Sequence, residues 1–216
     1  MKTLSFSLKA MALALLLSSC AYTARVADIP VFEERGDFQA SAGGSLTEGF
    51  TLSAASAVSD HFAMQVSSSW CEGFSQVRGT LGLYYPKPNH TMLAFYAGYG
   101  VEVDDGYYTD DNGASQPRTN WATTYFGQVD YGWRPTSWCT LAGRMSGGFL
   151  CWQPRDFQGV LYWEPALMAS FGWEHWTFDI KGSIRLFKGA SHYSPFKVPF
   201  TIGAGVSYRF NANKKK

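Results

Sequence analysis

Charged residues are scarce in this chain of 216 residues. Asp, Glu, Lys and Arg make up 16% of it, compared with about 25% in a typical soluble domain. No apolar run is long enough to cross a bilayer as a helix, since the run at residues 10–17 has only eight residues. These shortages argue against an ordinary water-facing surface and exclude a helical membrane protein.

Motifs for catalysis and for metal binding are missing as well. The four cysteines form no CxxC pair and no zinc spacing, and the chain has no HExxH, GxSxG or phosphate-binding loop. An acidic stretch at residues 104–113 lacks the EF-hand spacing and is interpreted as a solvated turn. We therefore predict no cofactor and no metal.

An enzyme is not predicted either. The histidines are His61, His90, His175 and His192, and no sequence spacing joins His192, which lies beside Ser191 and Ser194, to a carboxylate. A lipid-modifying enzyme with a Ser, His and acid site is kept as an alternative function.

The N-terminus has the pattern of a secretion signal. Lys2 and Lys9 supply positive charge around the apolar run at residues 10–17, which predicts a signal peptide over residues 1–19. Loss of these two lysines leaves 16 basic residues against 17 acidic ones, so nucleic-acid binding is not predicted.

A lipidation motif follows directly. Residues 17–20, LSSC, resemble the lipobox of bacterial lipoproteins, in which the cysteine becomes the lipidated first residue. The resemblance implies lipid attachment at Cys20. We expect residues 20–36 to form a lipid-anchored periplasmic linker, because turn and charge signals fill its second half.

Alternating apolar residues dominate the rest of the chain. In residues 198–210, VPFTIGAGVSYRF, every second position is apolar and mostly large, and the others are mostly small or polar. This alternation predicts a strand with one apolar face. Nine earlier segments repeat this pattern. The ten predicted strands are 37–43, 49–58, 62–70, 77–85, 91–103, 120–133, 138–147, 159–173, 176–186 and 198–210.

The connections between these strands predict an up-and-down arrangement. Short turns follow strands two, four, six and eight, and longer loops follow strands three, five, seven and nine. The fold class is therefore all-β, an antiparallel up-and-down transmembrane β-barrel over residues 37–210 with about ten strands, eight being the alternative count, and a basic tail at residues 211–216. Pro165 lies inside strand eight, where we expect a bulge or a local break.

The charged residues of the predicted strands lie on the face opposite the large apolar side chains. A charge facing lipid at mid-membrane costs about 2–4 kcal/mol for Arg or Lys, so we expect these charges to point into the lumen. The alternative is a soluble barrel with its greasy face inside. The predicted lumen charges are Arg78, Glu102, Asp130, Arg144, Glu164, Asp179, Lys181, Arg185 and Arg209.

Ten strands enclose little more space than a side-chain-filled barrel of eight strands. We therefore interpret the lumen charges mainly as a structural network and predict that the barrel is not an open pore. A narrow channel or transporter for a small ligand is the alternative. Cys71, Cys139 and Cys151 are interpreted as free thiols. A disulfide between Cys71 and Cys151, both expected in loops on the same side, is the alternative.

Together, the lipobox, the C-terminal strand and the ten alternating segments resemble small outer-membrane β-barrel proteins of Gram-negative bacteria. Residues 30–38, followed by residues 54–70, also resemble the start of a group of uncharacterised barrel lipoproteins. The resemblance implies a non-enzymatic outer-membrane lipoprotein with a structural or surface-interaction role through its outer loops.

The implied partners are outer-membrane lipids and the barrel-assembly machinery, which would meet the C-terminal strand; an external ligand is not indicated. Both chain ends are expected in the periplasm.

Overall fold

Eleven β-strands make up the structure, a computed structural model that describes residues 28–45, 49–71, 74–109, 115–153, 159–173, 175–188 and 200–211. Within these ranges, no helix is long and apolar enough to cross a membrane. The strands are β1 (Asp37–Ser45), β2 (Gly49–Ala57), β3 (Phe62–Cys71), β4 (Phe74–Lys87), β5 (Thr91–Thr109), β6 (Ser115–Thr136), β7 (Cys139–Gln153), β8 (Gly159–Trp173), β9 (Trp176–Ile184), β10 (Leu186–Lys188) and β11 (Phe200–Asn211).

The strands close into an antiparallel barrel. Each strand from β1 to β8 pairs with the next along the chain, β8 pairs with β9, and β11 pairs with both β9 and β1. β10 continues β9 after a break at Arg185 and pairs with β8, so the eleven segments fill ten barrel positions. The prediction of an all-β, ten-stranded up-and-down barrel is confirmed, and the alternative count of eight is wrong.

The β5–β6 hairpin is longer than the sequence predicts. We expected a polar loop from Asp104, but the two strands stay paired as far as Thr109 and Ser115. β4 ends opposite Asp104 and β7 ends opposite Trp121, so the hairpin projects beyond both neighbours. The sequence of residues 104–120 does not alternate between apolar and polar residues, so the alternating pattern could not predict this pairing.

Pro165 does not break β8, contrary to our expectation. Its register with β7 is regular, and Pro165 lies opposite Met145. The interruption lies in the adjacent strand instead, where β9 ends at Ile184 and β10 begins at Leu186. Because proline has no N–H to donate, it cannot contribute to the ladder on the side that faces β9.

Large apolar side chains cover the outer surface of the barrel. In β9, for example, Trp176, Phe178 and Ile180 are between 48% and 62% exposed. The alternative of a soluble barrel with the apolar faces of its strands inside is therefore wrong. Contact of so much apolar surface with water would be unfavourable by roughly 25 cal/mol per Å². This surface fits an outer-membrane β-barrel, whose lipid-facing band is apolar.

The barrel has two ends. The connections at residues 58–61, 88–90, 137–138 and 174–175 lie at the same end as Asp37 and Asn211, and we call this the turn end. The opposite end, which we call the loop end, carries the connections that follow β1, β3, β5, β7 and β10. The connection after β3 is shorter than predicted, since only residues 72–73 separate β3 from β4.

Candidate functional site in the barrel lumen

The segment Asp28–Phe32 lies inside the barrel, and we call it the plug. Ile29, Val31 and Phe32 expose 0%, 5% and 1% of their surface, respectively. We had expected residues 20–36 to form a periplasmic linker, and for the plug this expectation is wrong. Apolar side chains in a short linker can be buried only where a cavity accepts them, and the barrel interior supplies that cavity.

A tight turn connects the plug to β1 at the turn end. The carboxylate of Asp37 accepts hydrogen bonds from the backbone N–H groups of Glu33 and Glu34, at 2.6 and 3.0 Å. Gly36 has a φ of 87°, a conformation that glycine adopts without strain. Its N–H donates to the carbonyl of Ala57 at 2.9 Å. The chain therefore leaves the lumen and enters β1 within a few residues.

Small inward side chains make room for the plug. A Cβ atom on Gly132 would lie 2.3 Å from Cγ2 of Val31, so glycine is required for this close approach. Alanines line much of the same space. The buried alanines that share a cluster with the plug are Ala55, Ala57, Ala63, Ala94 and Ala142.

Phe32 packs against two large inward side chains. Its ring meets the ring of Tyr84 edge-on with the centroids 5.5 Å apart, and its backbone N–H donates to the sulfur of Met92 at 3.2 Å. The hydroxyl of Tyr84 donates to the carbonyl of Ser59 at 2.8 Å, which ties this packing to a turn between strands. Phe32 is therefore held by close apolar contacts on the side that faces Tyr84 and Met92.

Ion pairs hold both ends of the plug region. The carboxylate of Asp28 accepts hydrogen bonds from the ammonium of Lys181 and from the hydroxyl of Ser53. Glu33 pairs with the guanidinium of Arg134 at 2.8 Å, near the rim. Because Lys181 is only 2% exposed, its charge depends on this carboxylate and on Asp179, 3.9 Å away.

Most of the nine predicted lumen charges meet a charged or polar partner across the barrel wall or lumen. Arg144 donates from two nitrogens to Asp130 at 2.7 and 2.6 Å, and Arg185 donates to Glu164 at 2.5 Å. Both are charge-assisted bonds, and the first is bidentate. Glu102 accepts from the hydroxyl of Thr124 at 2.9 Å, and Asp179 accepts from the hydroxyl of Ser207.

Of the five cations among these nine charges, two contact no carboxylate at ion-pair distance within the described ranges. Arg78 donates to the hydroxyl of Tyr162 at 3.4 Å, and its guanidinium lies 4.7 Å from the ring centre of Phe126. Arg209 donates to the hydroxyl of Thr140 at 3.2 Å. The arrangement can stabilise the lumen by pairing charges across it.

A small polar cavity of about 60 Å³ lies beside Asp28 and extends along β3 and β4. A cavity of this volume suits a few water molecules rather than an organic ligand. Six buried polar atoms around it have no hydrogen-bond partner among the described residues. They are Oε1 of Gln39, Nε2 of Gln65, Oγ of Ser69, Oε1 of Gln76, Nε of Arg78 and Oγ1 of Thr80.

The alternative of a disulfide between Cys71 and Cys151 is wrong, and the interpretation as a free thiol is wrong for Cys71. Cys151 is a free thiol, as is Cys139. Cys71 is disulfide-bonded, and its partner lies outside the described residues. The pairing was predicted from the expected side of each loop, which cannot show whether two Cα atoms lie close enough for a bond. Cys20, the predicted lipidation site, also lies outside the described residues.

Three of the four histidines lie within the described ranges, in turns between strands. His90 lies 3.5 Å from Glu33, and Nδ1 of His175 is 2.8 Å from the carbonyl of Arg209, both at the turn end. His192 lies outside the described residues. In the part of the chain that the structure describes, no three His, Cys, Asp or Glu residues are placed to hold a metal ion.

The plug is the feature that the sequence analysis missed. Its signal was the apolar group at Ile29, Val31 and Phe32, within a stretch that otherwise carries turn and charge signals. A second signal was the set of inward alanines near the turn ends of the strands, which leaves space in the lumen.

No protein-family model matches the chain, and no curated protein matches it in sequence. Among solved structures, the chain is similar to the NanC porin in a rhombohedral crystal form. The similarity has 10% sequence identity and a TM-score of 0.39, and it covers 80% of this chain and all of the porin chain. A likeness at this level identifies no function for this chain.

Proposed function

We propose that the chain is a non-enzymatic outer-membrane β-barrel lipoprotein with a closed lumen and a structural or surface-interaction role through its loop end. The observation that carries the closed lumen is the burial of Ile29, Val31 and Phe32 inside the barrel. The apolar outer surface supports the membrane location, and Cys20 supports the lipid anchor. The turn end would face the periplasm, as is usual for short turns.

Planar-bilayer recording tests the closed lumen. We expect no steady conductance from the pure wild-type protein, because the plug and the paired charges occupy the lumen. Stable conductance steps from the wild-type protein would overturn this part of the proposal.

Intact-mass analysis tests the lipid anchor. We expect acyl chains on Cys20 after removal of residues 1–19. A disulfide between Cys20 and Cys71 in the mature protein would exclude the anchor, because a sulfur in a disulfide cannot also carry a thioether-linked lipid.

The assembly partner follows from the C-terminal strand. β11 pairs with β1 along residues Phe38–Ser45 and closes the barrel, as a strand recognised by a barrel-assembly machinery would. A truncation that removes β11 should fail to reach the outer membrane, whereas a truncation after Asn211 should still insert. Insertion of the β11-deleted chain would contradict this partner.

The cavity beside Asp28 favours a gated narrow channel as a second candidate. Its unpartnered polar groups could contact a hydrated ion if the plug moved. A variant with Ile29, Val31 and Phe32 all replaced by Ser weakens the plug without removing the lumen charges. Conductance from this variant, with none from the wild-type protein, would support a gate formed by the plug, and silence from both would support the closed barrel.

A further inference from the structure

A second cavity, of about 170 Å³, lies at the turn end between the plug and the barrel wall. Val31 and Phe32 line it on the side of the plug, and Arg209 lines it on the side of the barrel. Glu34 and His175, which also line it, are exposed, so the cavity can be reached from the solvent at the turn end. A space of this size admits several water molecules or a small organic ion.

The guanidinium of Arg209 is the least satisfied polar group of this cavity. Its Nη1 donates to the hydroxyl of Thr140 at 3.2 Å. Its Nε and Nη2 are buried and have no hydrogen-bond partner among the described residues. Because the burial of a donor without a partner costs free energy, these two N–H groups favour a ligand that can accept hydrogen bonds from both.

Nε and Nη2 form one edge of the planar guanidinium. Two parallel N–H groups on such an edge match the two oxygens of a carboxylate. Arg144 shows this match in the same lumen, since its Nε and Nη2 donate to the two carboxylate oxygens of Asp130 at 2.7 and 2.6 Å. A carboxylate from another molecule would complete Arg209 as Asp130 completes Arg144.

The carboxylates that line the cavity have contacts of their own. Glu33 pairs with Arg134 at 2.8 Å, and Asp37 accepts from two backbone N–H groups at 2.6 and 3.0 Å. Together with Glu34 they place three carboxylates beside the guanidinium groups of Arg134 and Arg209, so the cavity is not strongly positive. A ligand with one negative charge is therefore favoured over a phosphate group, which carries about 1.5 to 2 negative charges at pH 7.

We propose that the turn-end cavity binds the carboxylate group of a small monocarboxylate or of a peptide C-terminus, with Nε and Nη2 of Arg209 as its two donors. Thr140 is a positioning residue, because it accepts from Nη1 and so orients the guanidinium. This site goes beyond the function proposed above and does not depend on the lipid anchor. With the turn end in the periplasm, the ligand is a periplasmic one.

Titration of the full chain in detergent micelles with acetate tests the site. The readout is the NMR resonance of the Arg209 Nε–H, which is identified by its loss in Arg209→Lys. We expect acetate to shift this resonance in a saturable way, and chloride at the same ionic strength to leave it unchanged. No saturable shift with acetate, or a tighter one with inorganic phosphate, would overturn the proposal.

The affinity of each variant is measured through the line broadening of ¹³C-labelled acetate, which does not need the Arg209 resonance. Arg209→Lys should weaken acetate binding at least about tenfold, because lysine cannot donate from two parallel N–H groups and one charge-assisted hydrogen bond is lost. Arg78→Lys is the matched control, since Arg78 lines the cavity beside Asp28 instead, and its affinity should equal that of the wild type.

Unchanged affinity in Arg209→Lys, or an equal loss in Arg78→Lys, would contradict the assignment to Arg209. The heat-dependent gel shift of an intact barrel shows whether each variant folds. If Arg209→Lys does not fold, Thr140→Val takes its place and should weaken acetate binding by a smaller factor. Unchanged affinity in Thr140→Val then overturns the proposal.

A peptide separates the two sources of the carboxylate. Acetyl-trialanine with a free C-terminus competes with acetate, and its C-terminal amide is the control. Tighter binding of the peptide acid than of acetate assigns the site to a peptide C-terminus, and binding no tighter than acetate assigns it to a small monocarboxylate. Equal binding of the amide and the acid would overturn the proposal, because the amide has no carboxylate.

Discussion

The apolar contacts of the plug and the polar cavity beside Asp28 are two regions of the lumen that are built differently. At the turn end, Ile29 and Phe32 pack against Tyr84 and Met92 with almost no exposed surface. Towards the loop end, Ser69, Gln76 and Thr80 are buried too, but each has a polar atom without a partner among the described residues. Buried polar groups normally have partners, so the side chains around Ile29 and Phe32 are better packed than the walls of the polar cavity.

This difference predicts that substitutions in the two regions will change stability by different amounts. Residues that pack or pair closely should be costly to change, whereas residues around the cavity should tolerate change. The region between them is the charge network, which closes the middle of the lumen. The following variants test this contrast through the free energy of unfolding, measured by urea titration in lipid vesicles.

The largest effect is expected at the charge network. Arg144→Met leaves the Asp130 carboxylate, which is fully buried, without its bidentate partner. Loss of one member of a buried pair costs about 4 kcal/mol, since the other charge stays uncompensated. The double variant with Asp130→Asn should recover much of this loss. Equal stability of the single variant and the wild type would show that the lumen there is open to water.

The next effect is expected in the plug. Phe32→Ala removes a ring that contacts Tyr84 and should cost about 3 kcal/mol, as for a large-to-small change in a packed core. Phe50→Ala is the matched control, because Phe50 is 51% exposed on the outer surface. If both variants lose the same amount, the plug contributes no more than a lipid-facing side chain.

A smaller effect is expected at the inner end of the plug. Asp28→Asn keeps the shape of the side chain but removes the charge that pairs with Lys181, which still has Asp179 at 3.9 Å. A hydrogen bond to a charged group is worth about 2 kcal/mol, so a loss of that size is expected. Asp60→Asn at an exposed turn should change nothing. No loss at Asp28 would mean that the plug is held by its apolar side chains alone.

The smallest effect is expected around the cavity. Gln76→Leu removes an amide whose oxygen has no partner among the described residues, so the change should be near zero. Gln128 is equally buried, but it donates to Asp130 at 3.3 Å, and Gln128→Leu should cost about 1 kcal/mol. A large loss at Gln76 would show that this end of the lumen is packed as well as the other.

The wall of the barrel was predictable because a strand repeats every two residues. The bounds predicted for β8 match the structure, and most other strands differ by a few residues at their ends. The inward direction of Asp130, Glu164, Asp179 and Lys181 followed from the same period, and all four are buried. The two-residue period did not predict the strands at residues 104–117, because the sequence there does not alternate between apolar and polar residues.

The sequence alone determined the strands through the alternation of apolar and polar residues. The scarcity of charged residues favoured lipid as the environment of the apolar face. The ion-pair partners of the lumen charges were not determined in this way. Alternation places a charge in the lumen, but the partner of that charge depends on the register of the strands around the closed barrel. The pairs of Arg144 with Asp130 and of Arg185 with Glu164 were decided only by that register.

The position of the plug was likewise decided by tertiary structure. Ile29, Val31 and Phe32 become buried only because ten strands close around a space that small side chains leave unfilled.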